Sequence, residues 1–300
     1  MLKQDRGKGK MIKKIILEFI LVLITVLIVI CGYFLIIDIE SKIPDNLYNE
    51  VSVETREFME RKVFILSPRD EEKSDKVILY FHGGAYVAEA TDKHWEFLKK
   101  IVNDTKATVI MPDYPLTPKY TYKDVMNMVE PLYKETVSRV DNEKLILMGD
   151  SAGGGLALGL AEKMSANNVK LPSKIILISP WLDVTMSNEK IDEVQKNDKE
   201  LSKERLAIAG IAYARDLKEE EDYFVNPVNG DISKLKNIII YTGNYDILNP
   251  DCYTLREKIQ PLVQNVNIKE YDTAPHIWII NNDDELAQKA YNDLIEDVKN

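Results

Sequence analysis

Gly149-Asp150-Ser151-Ala152-Gly153-Gly154-Gly155 is the stretch on which the fold of this chain turns. Before it, Lys144-Leu145-Ile146-Leu147-Met148 is short and apolar, as a buried strand is. After it, Leu156-Ala157-Leu158-Gly159-Leu160-Ala161-Glu162-Lys163-Met164 reads as a helix. A Gly-x-Ser-x-Gly sequence between a strand and a helix is a nucleophile elbow. Gly149 and Gly153 let strand and helix approach closely, so the chain turns sharply and lifts the Ser151 hydroxyl clear. The following helix directs the positive end of its dipole at the place where an oxyanion would form. A five-residue pattern of small residues is common by itself. Its strand–turn–helix setting gives it weight.

Outward from this stretch the pattern alternates. Residues 63–66, 77–81, 107–111, 174–179, 237–241 and 265–271 read as strands. Helices are expected over about 93–103 with Asp92 as cap, over 121–138 with a bend at Pro131, near 250–260 and near 283–298. Strands alternating with helices predict an α/β fold with a mostly parallel, doubly wound sheet covered on both faces. Residues 38–50 are polar, contain Pro44 and read as a linker, so 38–75 serves as linker and start of the cap and sheet. The main α/β body is expected over 76–300, interrupted by a less regular insertion at about 181–226.

Residues 19–37 are 19 consecutive positions without a charge. At 1.5 Å per residue they span roughly 28 Å, close to the thickness of a bilayer's hydrocarbon core. Lys3, Arg6, Lys8, Lys10, Lys13 and Lys14 precede the run against Asp5 and Glu18, and Asp38, Glu40, Lys42 and Asp45 follow it. The asymmetry predicts a basic cytoplasmic tail at 1–14, a single-pass transmembrane anchor at 15–37 and the rest of the chain outside the cytoplasm. A cleaved signal peptide is the competing reading. The run is longer than a usual signal core, and no good cleavage site follows it.

The net charge of −10 argues against nucleic acid as a partner, because phosphate binding needs a basic face. No Cys/His cluster has metal-site spacing. With histidines only at 82, 94 and 276, histidine-dependent chemistry has few places to be. A serine hydroxyl is a poor nucleophile until a base takes its proton. In the fold that carries this elbow the chain order is serine, acid, histidine. His276, in Thr273-Ala274-Pro275-His276, is the only histidine after Ser151. Asp183, Asp246, Asp251 and Asp272 all fall in the interval for the acid. Asp246 follows a proposed strand by a few residues and is favoured, with Asp183 the next choice. Gly83 and Gly84, in His82-Gly83-Gly84-Ala85, and Ala152 are the expected oxyanion donors. His82 is expected to brace its loop, and His94, early in a helix, to face solvent.

His82-Gly83-Gly84-Ala85-Tyr86, the elbow, Ser179-Pro180-Trp181-Leu182-Asp183, Asp113-Tyr114-Pro115-Leu116-Thr117-Pro118 and the Asp246/His276 pair together resemble the hormone-sensitive-lipase family of α/β-hydrolases. The resemblance covers about residues 76 to 280. It implies carboxylic-ester hydrolysis without a cofactor, under a helical cap formed by 181–226 together with 43–62. Tyr86, Asp150 and Trp181, within these motifs, are expected to contact substrate. Ala85, Pro115 and Lys119 depart from the family's usual glycine, arginine and glutamate, which bears on loop geometry and substrate preference. Residues 206–214 are apolar nearly throughout. Most are expected to pack on the core and the rest to line an acyl pocket.

The sequence thus predicts a membrane-anchored serine esterase acting on small or medium acyl esters, lipid-derived ones among them. A non-catalytic binding protein on the same fold and an amide hydrolase are the alternatives.

Overall fold

The computed structural model describes residues 38–69, 73–259 and 266–300, with positions 16, 19, 20, 22 and 23. The chain divides into two units, 1–38 and 39–300. In the first, the described Ile16, Phe19, Ile20, Val22 and Leu23 are helical and exposed. The expected tail at 1–14 and the other positions of the expected anchor at 15–37 lie outside the described residues. No helix among the described residues is long and apolar enough to cross a membrane.

The second unit is built on eight strands: β1 (Ser52–Phe58), β2 (Arg61–Ser67), β3 (Val77–Phe81), β4 (Thr108–Pro112), β5 (Leu145–Asp150), β6 (Lys174–Ile178), β7 (Ile238–Gly243) and β8 (Val266–Tyr271). They lie in the order β1-β2-β4-β3-β5-β6-β7-β8. β2 is antiparallel to both of its neighbours, and every pairing from β4 through β8 is parallel. The central strands are apolar on both faces because both are covered. Leu79, Leu147, Leu177 and Ile240 enter one core, and Ile78, Ile146, Ile176 and Ile239 the other. That is the two-residue alternation of a pleated strand.

Helices α1 (Asp92–Thr105) and α6 (Glu285–Lys299) cover the second face. α2 (Tyr122–Arg139), α3 (Ser151–Ala166) and α5 (Asn249–Ile259) cover the first. α4 (Lys203–Tyr213) belongs to the insertion. α2 continues through Pro131. The cap of α1 is Thr91 and not Asp92, since the Thr91 side chain and the ring of His94 make a reciprocal capping box.

Three expectations need correction. Residues 38–50 are not a linker: Leu47 and Val51 are buried in the second core, and the Ser41 N–H donates to Asp113 at 3.0 Å. Residues 43–62 do not join the cap, because 52–58 form the edge strand β1. α3 begins at Ser151 and not near 156. Its glycines look like a turn in sequence, yet they are there for space. A Cβ on Gly153 would stand 2.0 Å from the carbonyl oxygen of Phe81. Backbone lies on both sides of that contact and neither side can yield. Gly153→Ala should therefore destabilise the protein by about 3 kcal/mol or more, read as a lowered urea midpoint. An unchanged midpoint would disprove this account of the elbow.

Candidate active site

β5 ends at Asp150 and the chain turns directly into α3, leaving Ser151 at φ 51°. That left-handed conformation is costly for a non-glycine residue and marks a strained turn. β5, β7 and β8 are parallel, so their carboxyl ends open on one rim of the sheet. The loop after β7 carries Asp246 and the loop after β8 carries His276. His276 Nε2 lies 2.9 Å from Ser151 Oγ, and its Nδ1 lies 2.8 Å from Asp246 Oδ2. A carboxylate only accepts, so Nδ1 carries the hydrogen and Nε2 presents its lone pair to the serine hydroxyl.

The two loops are stitched together. The Tyr245 N–H donates to Ala274 O at 3.2 Å, and the Thr273 N–H to Asn244 Oδ1 at 2.8 Å. From the other side the Ile277 N–H donates to Ser179 Oγ at 3.1 Å. The Asp246 carboxylate is fully buried and its Oδ1 accepts the Leu248 N–H at 2.9 Å. Burial of the His276 ring opposes its charged form, but the attraction and hydrogen bond of Asp246 outweigh this and raise its pKa.

The other acids have separate work. Asp183 accepts from the Thr185 N–H, the Thr185 hydroxyl and the Ser187 hydroxyl within its own loop. Asp251 accepts from Asn188 at 2.8 Å, and Asp272 from Asn244 at 2.7 Å. The structure brings Asp246, and none of these, to His276.

The loop expected to supply oxyanion donors, at 82–86, departs from expectation. The Gly83 N–H donates to Asp150 Oδ1 at 2.9 Å, so it is not available to an oxyanion. The Gly84 N–H, at φ +110°, has no partner among the described residues. Ala152, second in α3, precedes the first intrahelical N–H bond. Among the described residues no hydrogen bond occupies either donor.

Asp150 is a brace and not a substrate contact. It is wholly buried and accepts from the Tyr80 hydroxyl, the Gly83 N–H and His94 Nε2. Burial works against its charge, yet His94 and Tyr80 hold its pKa below the ordinary value. His94 therefore does not face solvent: it is 4% exposed. His82 stacks on Tyr114 at 4.5 Å, and the Tyr114 hydroxyl donates to the His82 carbonyl at 2.6 Å. It braces the loop as expected, and burial lowers its pKa to about 4.

Tyr86 and Trp181, also expected against substrate, are sealed from behind. Tyr86 stacks on Tyr213 of α4 at 3.6 Å and on Trp181 at 5.8 Å, and its hydroxyl donates to Ala152 O at 2.8 Å. Tyr86 and Trp181 retain 1% and 0% exposure. They set the position of the elbow and of the 82–86 loop rather than offering a surface. Along α4, Leu206, Gly210 and Tyr213 are buried, whereas Ile208 and Ile211 are exposed. The insertion also reaches the acid loop, where Asp198 Oδ2 accepts the Ile247 N–H at 2.9 Å.

Sequence reasoning missed His94, Ser179 and Asp198. Of these only His94 left a local signal, its place three residues after Thr91 in a capping box. The partners through which the three act on the site, Asp150, Ile277 and Ile247, are distant in the chain.

Comparison with known proteins agrees with this architecture. An esterase from Acinetobacter venetianus is 30% identical over 197 residues, covering 65% of this chain and 65% of its own length. The match thus spans a little under two thirds of that relative. The crystal structure of a Staphylococcus aureus protein proposed to be an esterase superposes with a TM-score of 0.81 at 28% identity, covering 87% of this chain and 88% of that one. An esterase of the bacterial hormone-sensitive lipase family shares the fold, with a TM-score of 0.77 at 21% identity over 86% of each chain. The sequence model of the alpha/beta hydrolase fold matches residues 78–280. On that match, and as its resemblance to hormone-sensitive-lipase proteins implied, the chain belongs to the α/β-hydrolase fold family.

Proposed function

We propose that this protein is a serine carboxylesterase that cleaves small to medium acyl esters through an acyl-enzyme. The observation that carries the reading is the continuous chain from Asp246 through His276 to Ser151, at 2.8 and 2.9 Å. Ser151 Oγ attacks the ester carbonyl while His276 Nε2 takes its proton, and Asp246 holds the ring and stabilises the imidazolium. The N–H groups of Gly84 and Ala152 receive the developing oxyanion. His276 then protonates the departing alkoxide. Water, deprotonated by the same ring, releases the acid and restores the serine. No step draws on a cofactor.

The esterase, lipase and acetyl-hydrolase names of relatives support the ester as substrate class. The insertion at 181–226, with Tyr213 stacked on Tyr86 and Asp198 bonded beside Asp246, is the proposed cap. The anchor at 15–37 and the extracytoplasmic site rest on the uncharged run and its basic flank.

Purified protein should hydrolyse p-nitrophenyl acetate or butyrate much faster than the matched anilide. A faster anilide would favour the amide reading, and no turnover of either would favour a binding protein. The acid limb of kcat/KM should lie above the ordinary histidine value of about 6.5, because the His276 pKa is raised. Activity needs the neutral ring, so it falls as pH drops through that raised pKa. His82, with its pKa lowered to about 4, stays neutral across the same range and adds no limb. A limb below pH 6 would contradict the electrostatic account.

A further inference from the structure

Three turns along α3 from the nucleophile, Glu162 presents a feature that ester hydrolysis does not use. It is 2% exposed, and neither carboxyl oxygen has a hydrogen-bond partner among the described residues. A buried carboxylate with both oxygens unpaired is strongly unfavourable unless a proton or a cation accompanies it. Glu162 lines a cavity of about 530 Å³ together with Glu219, Asp222, Asp231 and Lys234. That lining sets four carboxyl groups against one ammonium. Ser165, in the last turn of α3, lines it too, and the negative end of a helix dipole adds to the same field.

The site is shaped around its carboxylate. A Cβ on Gly230 would stand 2.0 Å from Glu162 Oε2, so only a glycine leaves the carboxyl its place. Asp222 is fixed by amide donors from Asn226 and Asn229 at 2.6 and 3.0 Å, and Asp231 by the Ser233 N–H at 2.9 Å. At 1.5 Å per residue Glu162 lies roughly 16 Å along the helix from Ser151, so this cavity is separate from the triad.

We propose that this cavity binds a small aliphatic polyamine, with one ammonium group against Glu162 and the others against the surrounding carboxylates. No set of three His, Cys, Asp or Glu residues among those described is arranged to hold a metal ion, and the space suits an organic cation. Several N–H donors on a flexible chain match several acceptors spread around one wall. Burial, with Asp231 nearby, raises the Glu162 carboxyl well above the usual range. Without a cation the group therefore holds its proton, and an arriving ammonium displaces it.

Calorimetric titration of the full chain with spermidine at constant ionic strength tests this. Binding should be saturable, release a proton to the buffer and weaken at least about tenfold in Glu162→Gln. Hydrolysis of p-nitrophenyl acetate should be unchanged in that variant, which reports that it is folded. Asp231→Asn should weaken binding to a smaller degree. No saturable binding by the parent, or equal binding by Glu162→Gln, overturns the proposal. Calcium chloride binding more tightly than spermidine, with the same dependence on Glu162, would make this a metal site and overturns it as well. None of these outcomes bears on the triad, whose failure would show in ester turnover.

Discussion

Replacing Ser151 with alanine is expected to lower kcat/KM for a p-nitrophenyl ester by roughly 10⁵-fold or more. The variant keeps the strained turn, the Gly84 and Ala152 N–H groups and the His276–Asp246 pair. It loses only the atom proposed to form the acyl bond. His276→Ala should cost about as much, since a serine hydroxyl without a base is a weak nucleophile. The double variant should be little worse than either single one, because the residues act as a unit. The remaining rate over water would come from the oxyanion donors and from binding. Additive losses would mean that the 2.9 Å contact between Nε2 and Oγ is not used in turnover.

Asp246→Asn carries the second large effect, a fall in kcat of about 10⁴. In the parent, Oδ1 is occupied by the Leu248 N–H at 2.9 Å while Oδ2 receives Nδ1–H. An asparagine in the same place satisfies the Leu248 N–H with its carbonyl and turns its NH₂ to the ring. The imidazole then places its hydrogen on Nε2, facing the serine, and cannot accept a proton there. Asp183→Asn is the matched control. Its bonds run to Thr185 and Ser187, so the loss should stay below about tenfold, the scale of a modest local destabilisation. Steady-state kinetics on the two variants separates the candidates, and a larger loss for Asp183→Asn would reverse the assignment.

Much of this architecture could be read from the chain because its signals are local or ordinal. The central strands are continuous apolar runs between turns, a consequence of burial on both faces, and six of them lie within a residue or two of where they were expected. The order serine, acid, histidine, together with only three histidines, pointed to His276 without any knowledge of contacts. What escaped was what depends on distant neighbours. β1 reads Ser-Val-Glu-Thr-Arg-Glu-Phe and looks polar because it is an exposed edge. Gly153 and Gly154 resemble a turn because the neighbours that require their small size, Phe81 and Pro180, are remote in the chain. Gly83 was a plausible oxyanion donor until its N–H was seen on Asp150. His94 looked exposed because nothing near it announces a carboxylate 56 residues further on.

The central claim is that Ser151, made reactive by His276, is the nucleophile. Labelling the protein with a fluorophosphonate and locating the adduct by mass spectrometry tests it most directly. Modification should fall on Ser151 alone and drop at least about a hundredfold in rate in His276→Ala. An adduct on any other residue, or one on Ser151 that forms equally fast without the histidine, would contradict it.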